Sequence, residues 1–173
     1  MSDRFIFDSS PLSAFARAGR LDLLAGRYAD RAMWTVEVRA EIARGSKAYP
    51  PLRGVLAARW LGDPVRLTDP ADLQEIQRIR WALGGKSSRP RQHLGEASTI
   101  VLARREDAVA VLDDRDARRL ARALGLHFIG TLGIIRAITR EGLLDANEAW
   151  AIVQTMRAQG FRMPPCVKRN WFR

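Results

Sequence analysis

AVAVLDDRDARRLARALGLHFIGTLGIIRAITREG, residues 108–142, alternates strand and helix twice. Ala108–Leu112 is a short unbroken apolar run, the mark of a strand covered on both faces. Ala117, Leu120, Ala121 and Leu124 then recur on one face of a helix. His127–Ile129 is a further strand, and Thr131–Glu141 a helix ended by Gly142, with Thr131 placed as its cap. Strand and helix alternating through connections this short require parallel strands with helices on both faces.

The alternation extends outward in both directions. Downstream, Asp145-Ala146-Asn147-Glu148 has the form of a capping box and opens the last long helix, which ends at Gly160. Upstream, Arg4–Phe7 is a strand, a helix runs from about Pro11 to Gly19, and Leu21–Leu24 is a short second helix. Another strand is expected around Ala32–Thr35, after which Trp34, Val38 and Ile42 fall at helical spacing. Pro50–Trp60 reads as helical, and Thr68-Asp69-Pro70 starts a helix carrying Leu73, Ile76 and Ile79. After Gly84-Gly85 a helix spans Gly95–Arg105.

A chain of 173 residues, 47% of them hydrophobic, can bury one sizeable core. Without linker, low-complexity tract or internal repeat, residues 1–173 read as a single unit with a short tail from about 161 to 173. Met1-Ser2-Asp3-Arg4 does not begin a signal peptide. The most apolar stretch, around Ala123–Ile138, is broken by His127 and Arg136 and is too short to span a membrane, so a cytoplasmic protein is expected. One cysteine, Cys166, excludes an internal disulfide and a zinc site built from several thiolates, and His93 and His127 stand alone. The net charge of +10 points to a polyanionic partner, most often nucleic acid, against the plainer account of an arginine-rich composition.

Ligand crevices of open α/β sheets lie beyond the carboxyl ends of the strands, so acids placed there are informative. Asp8 ends the first strand, and a carboxylate at the mouth of a buried strand costs several kcal/mol unless it is paired, capped or bound to a cation. Asp113 and Asp114 end the strand Ala108–Leu112. Glu96 and Glu41 lie near the apolar stripes of their helices. Each has a plainer role: Asp8, Asp113 or Asp114 as a helix cap, Glu96 in a first helical turn, Glu41 paired with Arg44 or Lys47. Several carboxylates converging on one sheet edge call for a hard cation, Mg²⁺ or Mn²⁺.

These residues carry a resemblance. FDSSPLSAFARAGRLDLL, VEVRAEI around Glu41, LGEASTIVLA around Glu96 and VLDDRDARRLARALGLHFIGTLGIIRAITREGLL resemble PIN-domain ribonucleases, most of all the VapC-type toxin branch. The resemblance covers nearly the whole chain outside roughly residues 49–92 and implies a three-layer α/β/α PIN-like domain. It implies metal-binding, catalytic carboxylates at Asp8, Glu41 and Glu96, with the fourth acid at Asp113 or Asp114 and a slight preference for Asp114. Ser98 stands where relatives often carry a second glutamate, and Trp34-Thr35 replaces a proline often found before Glu41. The activity implied is Mg²⁺- or Mn²⁺-dependent hydrolysis of RNA by a homodimeric toxin held inactive by an antitoxin protein. Alternatives are a non-catalytic nucleic-acid- or partner-binding module, and an RNA-processing nuclease without an antitoxin.

Nothing in the chain resembles a Ser-His-Asp arrangement, and a divalent ion can both acidify water and neutralise phosphate. A negatively charged site needs cations nearby to attract RNA. Arg78, Arg80, Lys86, Arg89 and Arg91 lie together just upstream of Glu96, and the segment 84–93 is expected to be a flexible arm gripping the substrate backbone. Trp81 is either a base-stacking platform or core. Gly85-Lys86-Ser87 lacks the glycine of a phosphate loop where Arg80 stands, and Gly130-Thr131-Leu132-Gly133 lacks lysine, so neither indicates a nucleotide enzyme. The ending Lys168-Arg169-Asn170-Trp171-Phe172-Arg173 joins an interface, joins the RNA surface, or frays.

Overall fold

In the computed structural model, which describes residues 3–172, Phe5 stands between Ala32 on one side and Val109 on the other. Strands β1 (Phe5–Phe7), β2 (Ala32–Met33), β3 (Val109–Val111) and β4 (Phe128–Ile129) form one parallel sheet in the order β2-β1-β3-β4. Met1, Ser2 and Arg173, which belong to the opening tetrapeptide and the basic ending, lie outside the described residues.

Around the sheet run α1 (Ser9–Arg17), α2 (Leu21–Tyr28), α3 (Val36–Gly45), α4 (Arg53–Leu56), α5 (Pro70–Ala82), α6 (Leu94–Arg105), α7 (Arg115–Ala123), α8 (Thr131–Arg140) and α9 (Ala146–Ala158). Successive strand side chains point to opposite faces. Phe7 and Val111 therefore enter one core with Phe15, Tyr28, Ile134 and Val153, while Ile6 and Ala110 enter another with Ile79, Ile100 and Ala121. Two cores divided by one sheet make the three-layer α/β/α architecture. Among the described residues no helix is long and apolar enough to cross a membrane.

Local signals explain most boundaries. Asp69 caps α5 by accepting from the Ala71 amide at 2.8 Å. Asp145 and Glu148 form the reciprocal capping box of α9. Three expectations need correction. Pro50–Trp60 is not one helix: 3₁₀ turns at Pro50–Leu52 and Arg59–Leu61 flank the four-residue α4, and the helical path is broken at Ala58, whose backbone is extended (φ −75°, ψ 102°). Trp81 is not core but half exposed, with the Arg80 guanidinium 4.9 Å from its ring centre. Thr131 is the first residue of α8 rather than its side-chain cap, and its hydroxyl is used elsewhere.

Two features position the site. α6 is buried all round from Ala97 to Ala103, as suits an interior helix. Ser98 anchors it: its hydroxyl donates to the Gly95 carbonyl at 3.0 Å and lies 2.8 Å from the hydroxyl of Thr35, which caps α3. At the other end, Gly160 (φ 93°) turns the chain out of α9, and the amides of Gly160 and Phe161 donate back to Arg157 and Met156. The segment from Phe161 thus returns over α8 and α9 and buries Phe172, so up to that residue it does not fray.

Candidate active site

Chain leaves β1 for β2 on one side of the sheet, and leaves β3 for β4 on the other. The crevice between β1 and β3 is therefore the point where strand order reverses, the usual ligand position in such sheets. Asp8 stands there immediately after β1, its amide donating to the Val111 carbonyl at 3.1 Å. Its side chain is 1% exposed. Oδ2 accepts from the Ser10 amide at 3.3 Å and so caps α1, whereas Oδ1 is buried with no hydrogen-bond partner. Burial, then the charges of Glu96 and Glu41, push the Asp8 pKa well above the usual carboxylate value.

Gly95 lets two of the acids approach one point. A Cβ at this position would sit 2.7 Å from Glu41 Oε2 and 3.3 Å from Asp8 Oδ1. The two oxygens flank the space that glycine leaves open, and the charge of the next residue, Glu96, acts on both. Glu41 opens onto the cleft but is crowded by protein. Burial and the charge of Glu96 raise its pKa, and the Ser9 hydroxyl, Arg44 and His93 pull it back. His93, in a left-handed conformation at the head of α6, places Nδ1 3.5 Å from Glu96 Oε1. The sequence offered no sign of that neighbour beyond chain proximity.

The two aspartates after β3 diverge. Asp114 is exposed and caps α7, Oδ1 accepting from the amides of Asp116 at 2.9 Å and Ala117 at 2.8 Å. Asp113 is half-buried and bound to the head of α8: Oδ1 accepts from the Thr131 amide at 2.8 Å and Oδ2 from its hydroxyl at 2.6 Å. Burial raises the Asp113 pKa, and the Thr131 hydrogen bonds and the Arg118 charge lower it.

Glu41, Glu96, Asp113 and Asp114 line one cleft of about 1100 Å³. Its cations are Arg17, Arg115, Arg118 and Arg162, none of which the sequence singled out. Arg17 lies on the face of Tyr49, 4.1 Å from the ring centre. None of Arg78, Arg80, Lys86, Arg89 and Arg91 lines the cleft. Arg78 pairs with Glu75 at 2.6 Å. Arg80 corrects the expectation of a substrate contact: its side chain is 4% exposed and donates to the carbonyls of Lys86 at 3.2 Å and Arg89 at 3.3 Å. It clasps the basic segment as a buried strut. Gly85 allows this, since a Cβ there would meet the Arg80 carbonyl oxygen at 2.7 Å.

Three neighbouring carboxylates, one of them with an unpartnered buried oxygen, are a hard donor set that suits Mg²⁺ or Mn²⁺. As the side chains stand, no three His, Cys, Asp or Glu groups among the described residues form a set that could hold a metal ion. Like charges keep apart without a cation between them, so these ligands would have to draw together on binding.

A family model described as a PIN domain matches residues 4–173. No curated protein and no solved structure matches the chain.

Proposed function

The chain belongs to the PIN-domain family, whose members are generally nucleases that use divalent metal ions, and from that premise we propose that it is a Mg²⁺- or Mn²⁺-dependent endoribonuclease. The approach of the Asp8 and Glu41 carboxylates at the space beside Gly95, with the charge of Glu96 acting on both, carries this reading. Asp8, Glu41 and Glu96 would hold the ion. We move the fourth role from Asp114 to Asp113: Asp114 is exposed and serves as the cap of α7, whereas Asp113 is half-buried at the cleft and Thr131 fixes its orientation while each oxygen keeps a lone pair. When bound, the cation would acidify a water and neutralise charge on the phosphate. Arg17, Arg115, Arg118 and Arg162 would orient the strand through its phosphates. The buried, capped Asp8 keeps one ligand fixed, which limits the rearrangement needed to assemble the site.

The finer reading, a homodimeric toxin silenced by an antitoxin protein, is supported by the sequence resemblance alone. Co-expression with a small adjoining reading frame, scored for complex formation and loss of cleavage, tests it. The absence of a preset three-ligand group among the described residues favours a second reading, a non-catalytic nucleic-acid- or partner-binding module. One assay separates the two: cleavage of single-stranded RNA with Mn²⁺, with Mg²⁺ and with chelator, by wild type and Asp8→Asn. Metal-dependent cutting lost in the variant supports the nuclease; cutting in chelator, or full activity of Asp8→Asn, removes the assignment.

A further inference from the structure

The cleft is larger than an ion and a phosphate require, lying just above the roughly 300–1,000 Å³ range that encloses a whole small ligand. Beside its carboxylates it has an apolar wall, formed by Phe128 at the end of the sheet, Leu132 on α8, and Phe161, Met163 and Trp171 from the returning C-terminal segment. The same segment contributes Arg162. Phe161, Met163 and Trp171 are each only part-buried while packing against the main core, so they are held in place and still present surface to the cleft. The turn at Gly160 sets the position of Phe161, whose backbone N–H donates to the Met156 carbonyl at 3.0 Å.

We infer that this wall is a nucleobase-binding subsite, in which Phe161, Met163 and Trp171 seat an unpaired base of the RNA strand whose phosphate lies at the carboxylates. The inference rests on the nuclease reading of the cleft and adds what that reading lacks, a determinant for the base. The chemistry favours this occupant over a peptide. An apolar wall alone suits either, but here Arg17, Arg115, Arg118 and Arg162 line the same cleft beside its carboxylates, and arginines set next to aromatic side chains are complementary to an anionic backbone carrying flat bases. A base paired in a duplex has its faces covered by its neighbours, so the subsite selects single strands.

Binding of a labelled single-stranded RNA is compared with the same strand carrying abasic riboses at its central positions. The full chain is used in chelator, so that no cleavage intervenes. Wild type is expected to bind the complete strand roughly tenfold more tightly than the abasic one. Phe161→Leu, which removes the ring and keeps apolar volume, and Met163→Ala should each bring that ratio toward one without altering the salt dependence. Arg162→Ala should weaken both strands alike. Melting curves of each variant exclude misfolding, and Phe161→Leu serves where a smaller residue would not fold. Equal affinity of wild type for the two strands, no binding of either, or a ratio untouched by Phe161→Leu and Met163→Ala overturns the subsite. So does a basic, aromatic peptide that binds through Phe161 while RNA does not, which would assign the wall to a protein partner. Base-dependent binding with no metal-dependent cleavage leaves the subsite standing and removes the nuclease. Cleavage with base-indifferent binding does the reverse.

Discussion

Thr131 holds both carboxylate oxygens of Asp113, its amide 2.8 Å from Oδ1 and its hydroxyl 2.6 Å from Oδ2. Residues 18 positions apart thereby join the end of β3 to the start of α8. Gly130 keeps the approach open, since a Cβ there would lie 2.9 Å from Asp113 Oδ1 and 3.0 Å from the Leu112 carbonyl oxygen.

This pairing predicts an unequal response of the two neighbouring aspartates. Asp113→Asn is expected to abolish most cleavage. Asp114→Ala should cost about 1 kcal/mol of stability, the usual value of a lost helix cap, and leave turnover at saturating metal near wild type. Thr131→Val should lower metal-dependent activity roughly 10–100-fold, as loss of an orienting partner does, and move activation to higher pH because one interaction that holds the Asp113 pKa down is gone. Activity retained in Asp113→Asn and lost in Asp114→Ala would return the fourth role to Asp114.

Stability of the metal-free protein should depend on pH in a sense opposite to ordinary acid denaturation. The folded-state pKa values of Asp8, Glu41 and Asp113 lie above the ordinary 3.8 for aspartate and 4.5 for glutamate. Their contribution to the folded state is fully present below those ordinary values and is lost as pH rises through the folded-state values. In chelator, melting temperature should therefore fall relative to Asp8→Asn as pH climbs from about 4 toward neutrality. Asparagine can still cap α1 and carries no charge, so the variant should melt higher than wild type at about pH 8. A variant that melts no higher there contradicts the buried-charge account.

Added Mn²⁺ should reverse that order. A cation bound only by the folded chain stabilises it by about 2.7 kcal/mol at one hundred times its dissociation constant. Wild type should gain melting temperature on titration with Mn²⁺, and Asp8→Asn should gain little. Equal gains in both would mean that the ion binds elsewhere.

Gly95→Ala should separate site from fold. The new methyl group would press on the Glu41 carboxylate, the mobile end of a flexible side chain, and crowd Asp8 Oδ1. Alanine is the better helix former by up to about 1 kcal/mol, so melting should be unchanged or higher while Mn²⁺ affinity falls by on the order of tenfold. Calorimetric titration and melting of the same sample check both. Unchanged affinity would show that the space beside Gly95 is not where ligands meet.

The basic segment should divide by burial. Arg89→Ala and Arg91→Ala remove exposed charges, and if these meet RNA each should reduce the salt slope of binding by about 0.7 for every phosphate the arginine neutralises. Arg80→Ala should leave the slope alone and instead speed amide exchange across residues 86–93, because the clasp on the Lys86 and Arg89 carbonyls is gone. A slope change in Arg80→Ala with unaltered exchange would restore Arg80 as a group that touches RNA.

By itself, the sequence determined the alternation of elements, the helix start at Thr68-Asp69-Pro70 and the capping box at Asp145, and through its family resemblance it pointed to the candidate acids Asp8, Glu41 and Glu96. The elements and caps are local signals: periodicity, capping chemistry and turn residues act over a few positions and are written in the order of the chain. Tertiary structure alone decided which arginines face the cleft, that Arg80 points inward, that Thr131 engages Asp113, and that Phe161–Trp171 returns to wall the site. Each depends on segments far apart in the chain meeting across a packed interface, and the direction in which a side chain then points follows from what it packs against.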